Sequence, residues 1–303
     1  MTSVVQAPNA VVMIRPHHFI SNPQTMQDNA FQQHCSDMHP SQRAYMEVTQ
    51  AVQQLELQGV KVHLFEDMTT ATPDSVFPNN WFSTHSDGQL ITYPMYAPNR
   101  RLEIRQDIID FLAANYQMTQ HHDFSHLVAQ EVFLEGTGSM VIDHAHGVAY
   151  AVESKRTNRE LVSSICQQLG LDAMVFNAFD DNNMPVYHTN VLMCVATEFV
   201  MLCLDMVPAS QQGELLAQFE QNGLQGINLS VAQIKQFCGN AIELQGSSGR
   251  VLALSTTAFA ALSEAQKAQI SASAKLVAID IPTIESAGGS VRCMIAGIHL
   301  PQK

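Results

Sequence analysis

The chain has 303 residues, a length that allows one large domain or two ordinary ones, and 46% of them are hydrophobic, enough for a packed core. Lysine and arginine number 15 against 28 aspartates and glutamates, and the resulting net charge of -13 disfavours nucleic-acid and anionic membrane partners. Since no apolar run could span a bilayer and residues 1–6 do not resemble a signal peptide, we expect a cytoplasmic protein.

The cysteines are scattered along the chain without the paired spacing of a zinc site. A chain of this length does not need disulfides for stability, so we expect reduced thiols. The six are Cys35, Cys166, Cys194, Cys203, Cys238 and Cys293.

Hydrophobic periodicity and turn residues predict strands and helices that alternate along the whole chain. Predicted strands lie at 11–16, 60–65, 89–93, 131–135, 140–143, 148–152, 191–195, 199–204, 249–255 and 276–279. Predicted helices lie within 29–59 and at 101–115, 158–169, 210–221 and 263–274, the last opened by a capping box. The rhythm predicts four or five mixed α/β units in a single domain, residues 1–303, although the units are too dissimilar to establish a repeat.

One cysteine stands in a setting suited to chemistry. Cys293 follows an Ala-Gly-Gly-Ser turn and precedes a short apolar run that is predicted to be a buried strand. Glycines allow a ligand to approach the backbone closely, so Cys293 is a candidate nucleophile. The alternative is a small buried hydrophobic residue after a turn.

Two further polar groups stand at junctions between predicted strands and loops, where catalytic groups tend to lie. Glu135 ends a predicted strand before Gly136 and Gly138, and His188 precedes the predicted strand at 191–195. A thiol nucleophile needs a general acid and base, and a carboxylate can orient that histidine. Taken alone, His188 is better explained as an ordinary surface or core residue.

A series of short motifs spans most of the chain. They are Asp-Ser-Val-Phe at 74–77, Ala-Pro-Asn-Arg-Arg at 97–101, Leu-Glu-Gly at 134–136, Ser-Lys-Arg-Thr-Asn at 154–158, Tyr-His-Thr-Asn at 187–190, and Cys293. In this order the series resembles the dimethylarginine dimethylaminohydrolases, members of the pentein or guanidino-group-modifying superfamily with arginine deiminases and amidinotransferases. The motifs at 14–16, 22–25, 77–81 and 238–240 are similar to those of bacterial amidinotransferase-like proteins described as citrulline-utilisation hydrolases.

The resemblance implies an α/β pentein fold, a propeller of five ββαβ-type units around a central polar funnel. It implies that Cys293 attacks the planar carbon of the substrate, that His188 acts as acid and then base, and that Glu135 orients His188. Arg100 and Arg156 match substrate-positioning residues, since a guanidinium binds a carboxylate through two hydrogen bonds. In isolation, each arginine would be interpreted as part of a solvated salt bridge.

The chain departs from this pattern where hydrolases of cationic guanidines carry acidic residues. Asn80 and Asn190 align with two such positions, and the neighbouring Asn79 is also an amide. An amide can bond a ureido group but supplies no negative charge. We therefore hypothesise a neutral ureido substrate such as citrulline, with all three asparagines in the substrate site. A guanidine balanced by Asp74 or Glu135 is one alternative; a purely structural role for the paired asparagines in a turn is another.

The leading hypothesis is a cofactor-free and metal-free thiol hydrolase of C–N bonds in an arginine- or citrulline-like amino acid. An amidinotransferase that passes the same adduct to an amine is an alternative, as is a non-catalytic amino-acid-binding protein of the same fold. The histidine pairs at 17–18, 121–122 and 144–146 lack a definite ligand spacing, which makes a metal enzyme the weaker hypothesis. A small amino acid is the expected partner, and a homo-oligomer is left open.

Overall fold

The structure, a computed structural model, describes residues 4–26, 29, 31–32 and 39–303. Cys35 and part of the predicted helical stretch at 29–59 lie outside the described residues. Within them the chain forms fifteen strands and ten helices, with four short 3₁₀ helices between them.

The strands are short and fall in regular succession. They are β1 (Ala10–Pro16), β2 (Lys61–Asp67), β3 (Phe82–Thr84), β4 (Gln89–Thr92), β5 (Gln120–Asp123), β6 (Met140–Asp143), β7 (Val148–Val152), β8 (Asp172–Phe176), β9 (Met193–Val195), β10 (Phe199–Leu202), β11 (Gln225–Asn228), β12 (Ile242–Gly246), β13 (Gly249–Ser255), β14 (Lys275–Ile279) and β15 (Ala296–Gly297).

The helices alternate with the strands. They are α1 (Pro40–Leu57), α2 (Gln106–Asn115), α3 (Gly136–Ser139), α4 (Arg159–Leu169), α5 (Thr189–Leu192), α6 (Ala209–Gln221), α7 (Val231–Ile234), α8 (Thr256–Ala261), α9 (Glu264–Ser271) and α10 (Pro282–Glu285). The 3₁₀ helices are Pro78–Asn80, Pro98–Glu103, Ser125–Gln130 and Leu204–Met206.

The strands form five three-stranded sheets with one repeated topology. The orders are β15-β1-β2, β3-β4-β5, β6-β7-β8, β9-β10-β11 and β12-β13-β14. In each sheet the middle strand pairs antiparallel with the first strand, here termed the inner strand, and parallel with the last, the outer strand. The parallel pair needs a crossover, which contains a helix in every sheet. Each sheet with its crossover is one blade, and the five blades confirm the predicted α/β pentein propeller.

The first blade is completed by the C-terminal part of the chain. Its inner strand is β15, in which Ala296 pairs with Val12, and the Ile298 N–H donates to the Ala10 carbonyl at 2.9 Å. The strand predicted after Cys293 is therefore present, but only two residues pair. Cys293 consequently sits on the segment that closes the ring of blades.

Buried apolar strands and amphipathic helices form the core between the blades. All five residues of β7 are buried, as expected for a strand covered on both faces. Asn158 caps the start of helix α4, because its side chain accepts a hydrogen bond from the Leu161 N–H. Gly170, in a left-handed conformation, follows the last residue of the helix. The predicted capping box of Ser263 and Gln266 at the start of α9 is also present.

Several predicted elements differ in the structure. The strand predicted at 131–135 is absent; only Leu134 forms an isolated bridge, because the backbone turns here to enter α3. The strand predicted at 191–195 begins two residues late, at Met193, after the short helix α5. The helix predicted at 101–115 is divided into a 3₁₀ helix, Pro98–Glu103, and α2.

Sequence periodicity also missed outer strands. Strand β5 reads Gln-His-His-Asp and is largely exposed, so it carries no apolar alternation. Among the described residues, no helix combines the length and hydropathy that crossing a membrane would require.

Thr84 of β3 joins the closing strand to the second blade. Its hydroxyl donates to the Gly297 carbonyl at 3.0 Å and accepts from the His299 N–H at 2.9 Å. We expect Thr84→Ala to lower the free energy of unfolding by about 1–2 kcal/mol, since it leaves two partly buried backbone groups without this partner. Thr84→Ser keeps the hydroxyl and should lose less than half of that. Denaturant titration compares the two, and equal losses would contradict a role for this bond.

Candidate active site

The residues that precede the inner strands meet at one end of the propeller. Each inner strand follows a turn or a short helix, and the polar residues in these connections lie within five residues of the strand. They are Asn79 and Asn80 before β3, Glu135 before β6, His188 before β9, Asn240 before β12 and Cys293 before β15. Since the inner strands surround the propeller axis, this topology brings the five connections together.

The two candidate arginines come from the loops after middle strands. Arg100 follows β4 and Arg156 follows β7. Because a middle strand runs antiparallel to its inner strand, its C-terminal end lies beside the start of the inner strand. Both side chains therefore enter the same end of the propeller, where each is 2% exposed, so neither belongs to a solvated salt bridge.

Glu135 and His188 form a buried pair. The Glu135 Oε2 lies 2.8 Å from the His188 Nε2, and both residues are almost fully excluded from solvent. Gly138 makes this approach possible: a Cβ at this position would lie 2.2 Å from the Asn80 Nδ2 and 2.9 Å from the His188 Nδ1. The second glycine of the Glu-Gly-Thr-Gly motif thus leaves room for the imidazole.

The charges around this pair shift both pKa values downwards. Burial favours the neutral form of Glu135, but Arg156, His188 and Arg100 outweigh it and hold the pKa of the carboxyl well below its usual range. Burial lowers the pKa of His188, and the hydrogen bond and charge of Glu135 oppose that shift only in part. The structure thus pairs an ionised carboxylate with an imidazole that is neutral at neutral pH.

Arg100 and Arg156 are anchored to acidic groups. The Glu135 Oε2 lies 3.4 Å from the Arg156 Nη1 and 3.7 Å from the Arg100 Nη1. Glu103 binds Arg100 with two bonds of 2.9 Å, and burial raises the pKa of Glu103 to about 7 against the attraction of Arg100. This bidentate pair holds Arg100 rigidly.

Asp74 extends the network on the far side of Arg100. Its Oδ2 accepts from the Asn22 Nδ2 at 2.7 Å and lies 3.7 Å from the Arg100 Nε. Its Oδ1 is buried and has no hydrogen-bond partner among the described residues. Burial raises the pKa of Asp74, and Arg100 opposes that shift. An unpaired buried carboxylate oxygen is costly without a donor and is suited to a bound cationic or N–H-bearing group.

Cys293 is buried in a turn that begins at Ser290, whose carbonyl accepts the Cys293 N–H at 2.9 Å. Its Sγ accepts hydrogen bonds from two amides, the Asn190 Nδ2 at 3.3 Å and the Asn240 Nδ2 at 3.2 Å. The Asn190 Oδ1 has no partner among the described residues. Asn190, predicted as a substrate contact, therefore also contacts the thiol.

The other two predicted amides, Asn79 and Asn80, precede β3 in the second blade, next to the blade whose inner strand Cys293 precedes. The Asn80 Oδ1 accepts from the Arg100 Nη2 at 3.3 Å, and its Nδ2 lies 3.5 Å from the Glu135 carbonyl. Asn79 is fully buried, and both polar atoms of its side chain have no partner in the described part of the chain. Asn80 is consequently held by the arginine network, whereas the Asn79 amide has its full bonding capacity left.

Three neighbours of the candidate residues were not predicted to act. They are Asn240, Glu103 and Tyr187, whose hydroxyl donates to the Gly288 carbonyl at 2.6 Å and whose ring lies 5.0 Å from the Arg156 guanidinium carbon. Asn240 lies directly before the inner strand β12, a position that would have identified it as a candidate. The sequence pattern did not predict β12, so this signal was missing.

A cavity of about 710 Å³ adjoins the network. Arg156, Tyr187 and Ser154 lie in its wall together with apolar residues such as Phe31 and Phe237. Arg156 thus stands between this space and Glu135, where it can meet an anionic end of a bound molecule.

Within the described residues, no group of three or more histidine, cysteine or acidic side chains is arranged to hold a metal ion. His17 bonds Glu66 at 2.8 Å, and the His144 ring stacks on His299 with centroids 3.7 Å apart. The five described cysteines are free thiols.

The Glu135–His188 pair can be tested without a substrate. We expect the pKa of the His188 imidazole to lie below its ordinary value of about 6.5 and to fall further in Glu135→Gln, because the carboxylate favours the protonated ring. NMR titration of the assigned ring measures both. A higher value in the variant would contradict the pairing, and Glu66→Gln, which contacts His17 instead, is the matched control.

The chain matches a known protein family. A family model described as N,N dimethylarginine dimethylhydrolase, eukaryotic, matches residues 15–300. No curated protein sequence matches the chain.

Solved structures share the fold at low identity. The N-terminal domain of ArgZ, an arginine dihydrolase of the ornithine–ammonia cycle in cyanobacteria, has a TM-score of 0.75 at 16% identity, with 96% of this chain and 98% of that one covered. A mutant of AgrE in complex with L-arginine has a TM-score of 0.75 at 15% identity, with 97% and 40% covered.

A dimethylarginine dimethylaminohydrolase bound as an adduct with S-methyl-L-thiocitrulline has a TM-score of 0.65 at 15% identity, with 96% of this chain and 99% of that one covered. These likenesses show the pentein fold, and the family model covers most of the chain. The chain therefore belongs to the N,N dimethylarginine dimethylhydrolase family and is a C–N hydrolase of the guanidino-modifying class.

Proposed function

We propose that residues 1–303 form one catalytic domain that hydrolyses the ureido group of a free amino acid of the citrulline type. In this proposal Cys293 is the nucleophile, His188 the general acid and then base, and Glu135 the residue that orients His188. The products from citrulline are ornithine, ammonia and carbon dioxide.

The observation that carries the proposal is the chemistry around the thiol. Its hydrogen-bond donors are the neutral amides of Asn190 and Asn240, while the carboxylates of Glu135 and Glu103 are already paired with arginines. A buried cation would need a negative charge beside it, whereas a ureido group needs only donors and acceptors. The amides favour the neutral substrate.

The first half of the reaction releases ammonia. The neutral His188 ring takes the proton of the Cys293 thiol as the sulfur attacks the ureido carbon, which forms a C–S bond and a tetrahedral intermediate. Since the His188 Nε2 is bonded to Glu135, the Nδ1 is the ring atom left to transfer a proton. The protonated ring donates that proton to the departing nitrogen as the C–N bond breaks, and an S-carbamoyl adduct stays on the enzyme.

The second half restores the thiol. The neutral His188 ring accepts a proton from water, whose oxygen attacks the adduct carbon; the C–S bond then breaks, and the sulfur takes that proton from the ring. The carbamate that leaves loses carbon dioxide to give the free amine. A low pKa of His188 favours this base role, because the ring is unprotonated at neutral pH.

Arg156 is the residue we assign to the substrate α-carboxylate. It lies in the wall of the 710 Å³ cavity and against Glu135, so it can bridge the reacting end and an anionic end. Arg100 is held on both sides by Glu103 and Asp74, and we assign it to fixing those carboxylates.

Arginine is a second candidate substrate, favoured by one observation. The unpartnered Asp74 Oδ1 supplies the negative charge that a buried guanidinium requires. The structural likeness to ArgZ, an arginine dihydrolase, and to AgrE solved with L-arginine supports the same class of molecule.

Turnover assays distinguish the substrates and test the nucleophile. We expect higher kcat/KM with citrulline than with arginine or methylarginines, and mass spectrometry should detect a transient adduct on Cys293. Cys293→Ser should lower kcat by about 10³-fold or more while binding persists. Cys238→Ser, a buried thiol without this role, is the control. Efficient arginine turnover without citrulline turnover would contradict the ureido proposal.

Asn79 provides a test of charge at the site. We expect Asn79→Asp to lower the ratio of citrulline to arginine kcat/KM by about tenfold or more, because a carboxylate favours a cation by about 1.4 kcal/mol or more. Asn79→Ser, neutral and smaller, should leave the ratio within about threefold. A ratio unchanged by the aspartate would remove Asn79 from substrate discrimination.

The remaining alternatives give different products. An amidinotransferase would form a new amidino compound when glycine or lysine is added as acceptor. A non-catalytic binding protein would bind citrulline without releasing ammonia. Ammonia release that is unaffected by these acceptors supports hydrolysis.

A further inference from the structure

We propose that Asn240 is a catalytic residue that, together with Asn190, stabilises the negative charge that the sulfur of Cys293 carries when it attacks. The inference rests on the proposed function only in assigning Cys293 as the nucleophile. It concerns the fifth blade, from which neither motif nor family resemblance assigned a reacting group.

The contacts of Asn240 fix the orientation of its amide. The Oδ1 accepts from the Arg292 N–H at 3.1 Å, and the Nδ2 donates to the Asn190 carbonyl at 2.9 Å and to the Cys293 Sγ at 3.2 Å. A flipped amide would oppose an oxygen to the Asn190 carbonyl and to the sulfur, and it would lose the bond from Arg292. The network therefore directs an N–H at the sulfur.

The residue is placed by a rigid turn. Phe237 adopts a left-handed conformation, and the Asn240 N–H donates to its carbonyl at 2.8 Å. Gly239 lies against α5, where a Cβ would come within 2.5 Å of the Val191 carbonyl. Only glycine permits this approach, which sets the Asn240 side chain next to Asn190.

Two fixed amide donors change the chemistry of a buried sulfur. Burial disfavours a thiolate, and donors that point at the sulfur favour it without adding a positive charge. Asn190 and Asn240 thus act on the sulfur as the donors of an oxyanion hole act on oxygen, with no reorganisation on attack. This arrangement favours the transfer of the thiol proton to His188 when Cys293 attacks.

The test measures the pH dependence of Cys293 alkylation by iodoacetamide in the full chain, followed by mass spectrometry of the peptide that contains Cys293. In Asn240→Ala we expect the midpoint to rise by about one pH unit, equivalent to about tenfold slower alkylation at a fixed pH below the midpoint. The kcat should fall by about tenfold or more, with KM changed by less than about threefold.

Asn240→Asp keeps an acceptor for the Arg292 N–H and opposes a second carboxylate oxygen to the sulfur, so its midpoint should rise further than that of the alanine variant. The aspartate variant also tests the inference if the alanine variant fails to fold. Asn158→Ala is the matched control: it removes the cap of α4, at a cost of about the same order in stability, and should leave the midpoint unchanged.

An unchanged midpoint in folded Asn240→Ala or Asn240→Asp overturns the inference. Because alkylation needs no substrate, a wild-type protein that turns over neither citrulline nor arginine leaves this outcome readable and contradicts the proposed function alone. Normal turnover with an unchanged midpoint contradicts the role of Asn240 alone.

Discussion

The arrangement of the site depends on one buried carboxylate, that of Glu135. It accepts from His188, faces Arg156 and Arg100, and lies at the start of the short helix α3 where no solvent screens it. Interactions in so enclosed a setting are stronger than at a surface, and the loss of any one partner leaves an uncompensated charge. The two arginines therefore keep Glu135 ionised, and Glu135 in turn orients the imidazole.

Much of the fold followed from sequence pattern. The apolar runs of the middle strands, the helices between parallel strands and the capping residues Asn158 and Ser263 were predicted near their observed positions. Three of the outer strands, β5, β8 and β11, escaped prediction. The residues of β5, for example, are polar and largely exposed, and parallel pairing with a middle strand holds this strand in place.

The site could be predicted less completely. Cys293, His188 and Glu135 were predicted to meet, and the structure brings Glu135 and His188 into contact. The contact of Asn190 with the sulfur joins residues 103 apart in sequence, and that of Asn240 with Asn190 joins residues 50 apart. No local pattern contains this tertiary geometry. The fivefold topology, by contrast, would locate Asn240 once the inner strands are known.

The closing strand has a consequence for biosynthesis. Since β15 completes the sheet that begins with β1, the first blade of a nascent chain lacks its axial edge until residues 296–297 have left the ribosome. Pairings of such large sequence separation form slowly. The Cys293 sulfur, three residues ahead of that strand, is thus added to the site only when the ring itself is completed, so a nascent chain that lacks this segment has no assembled site around the sulfur.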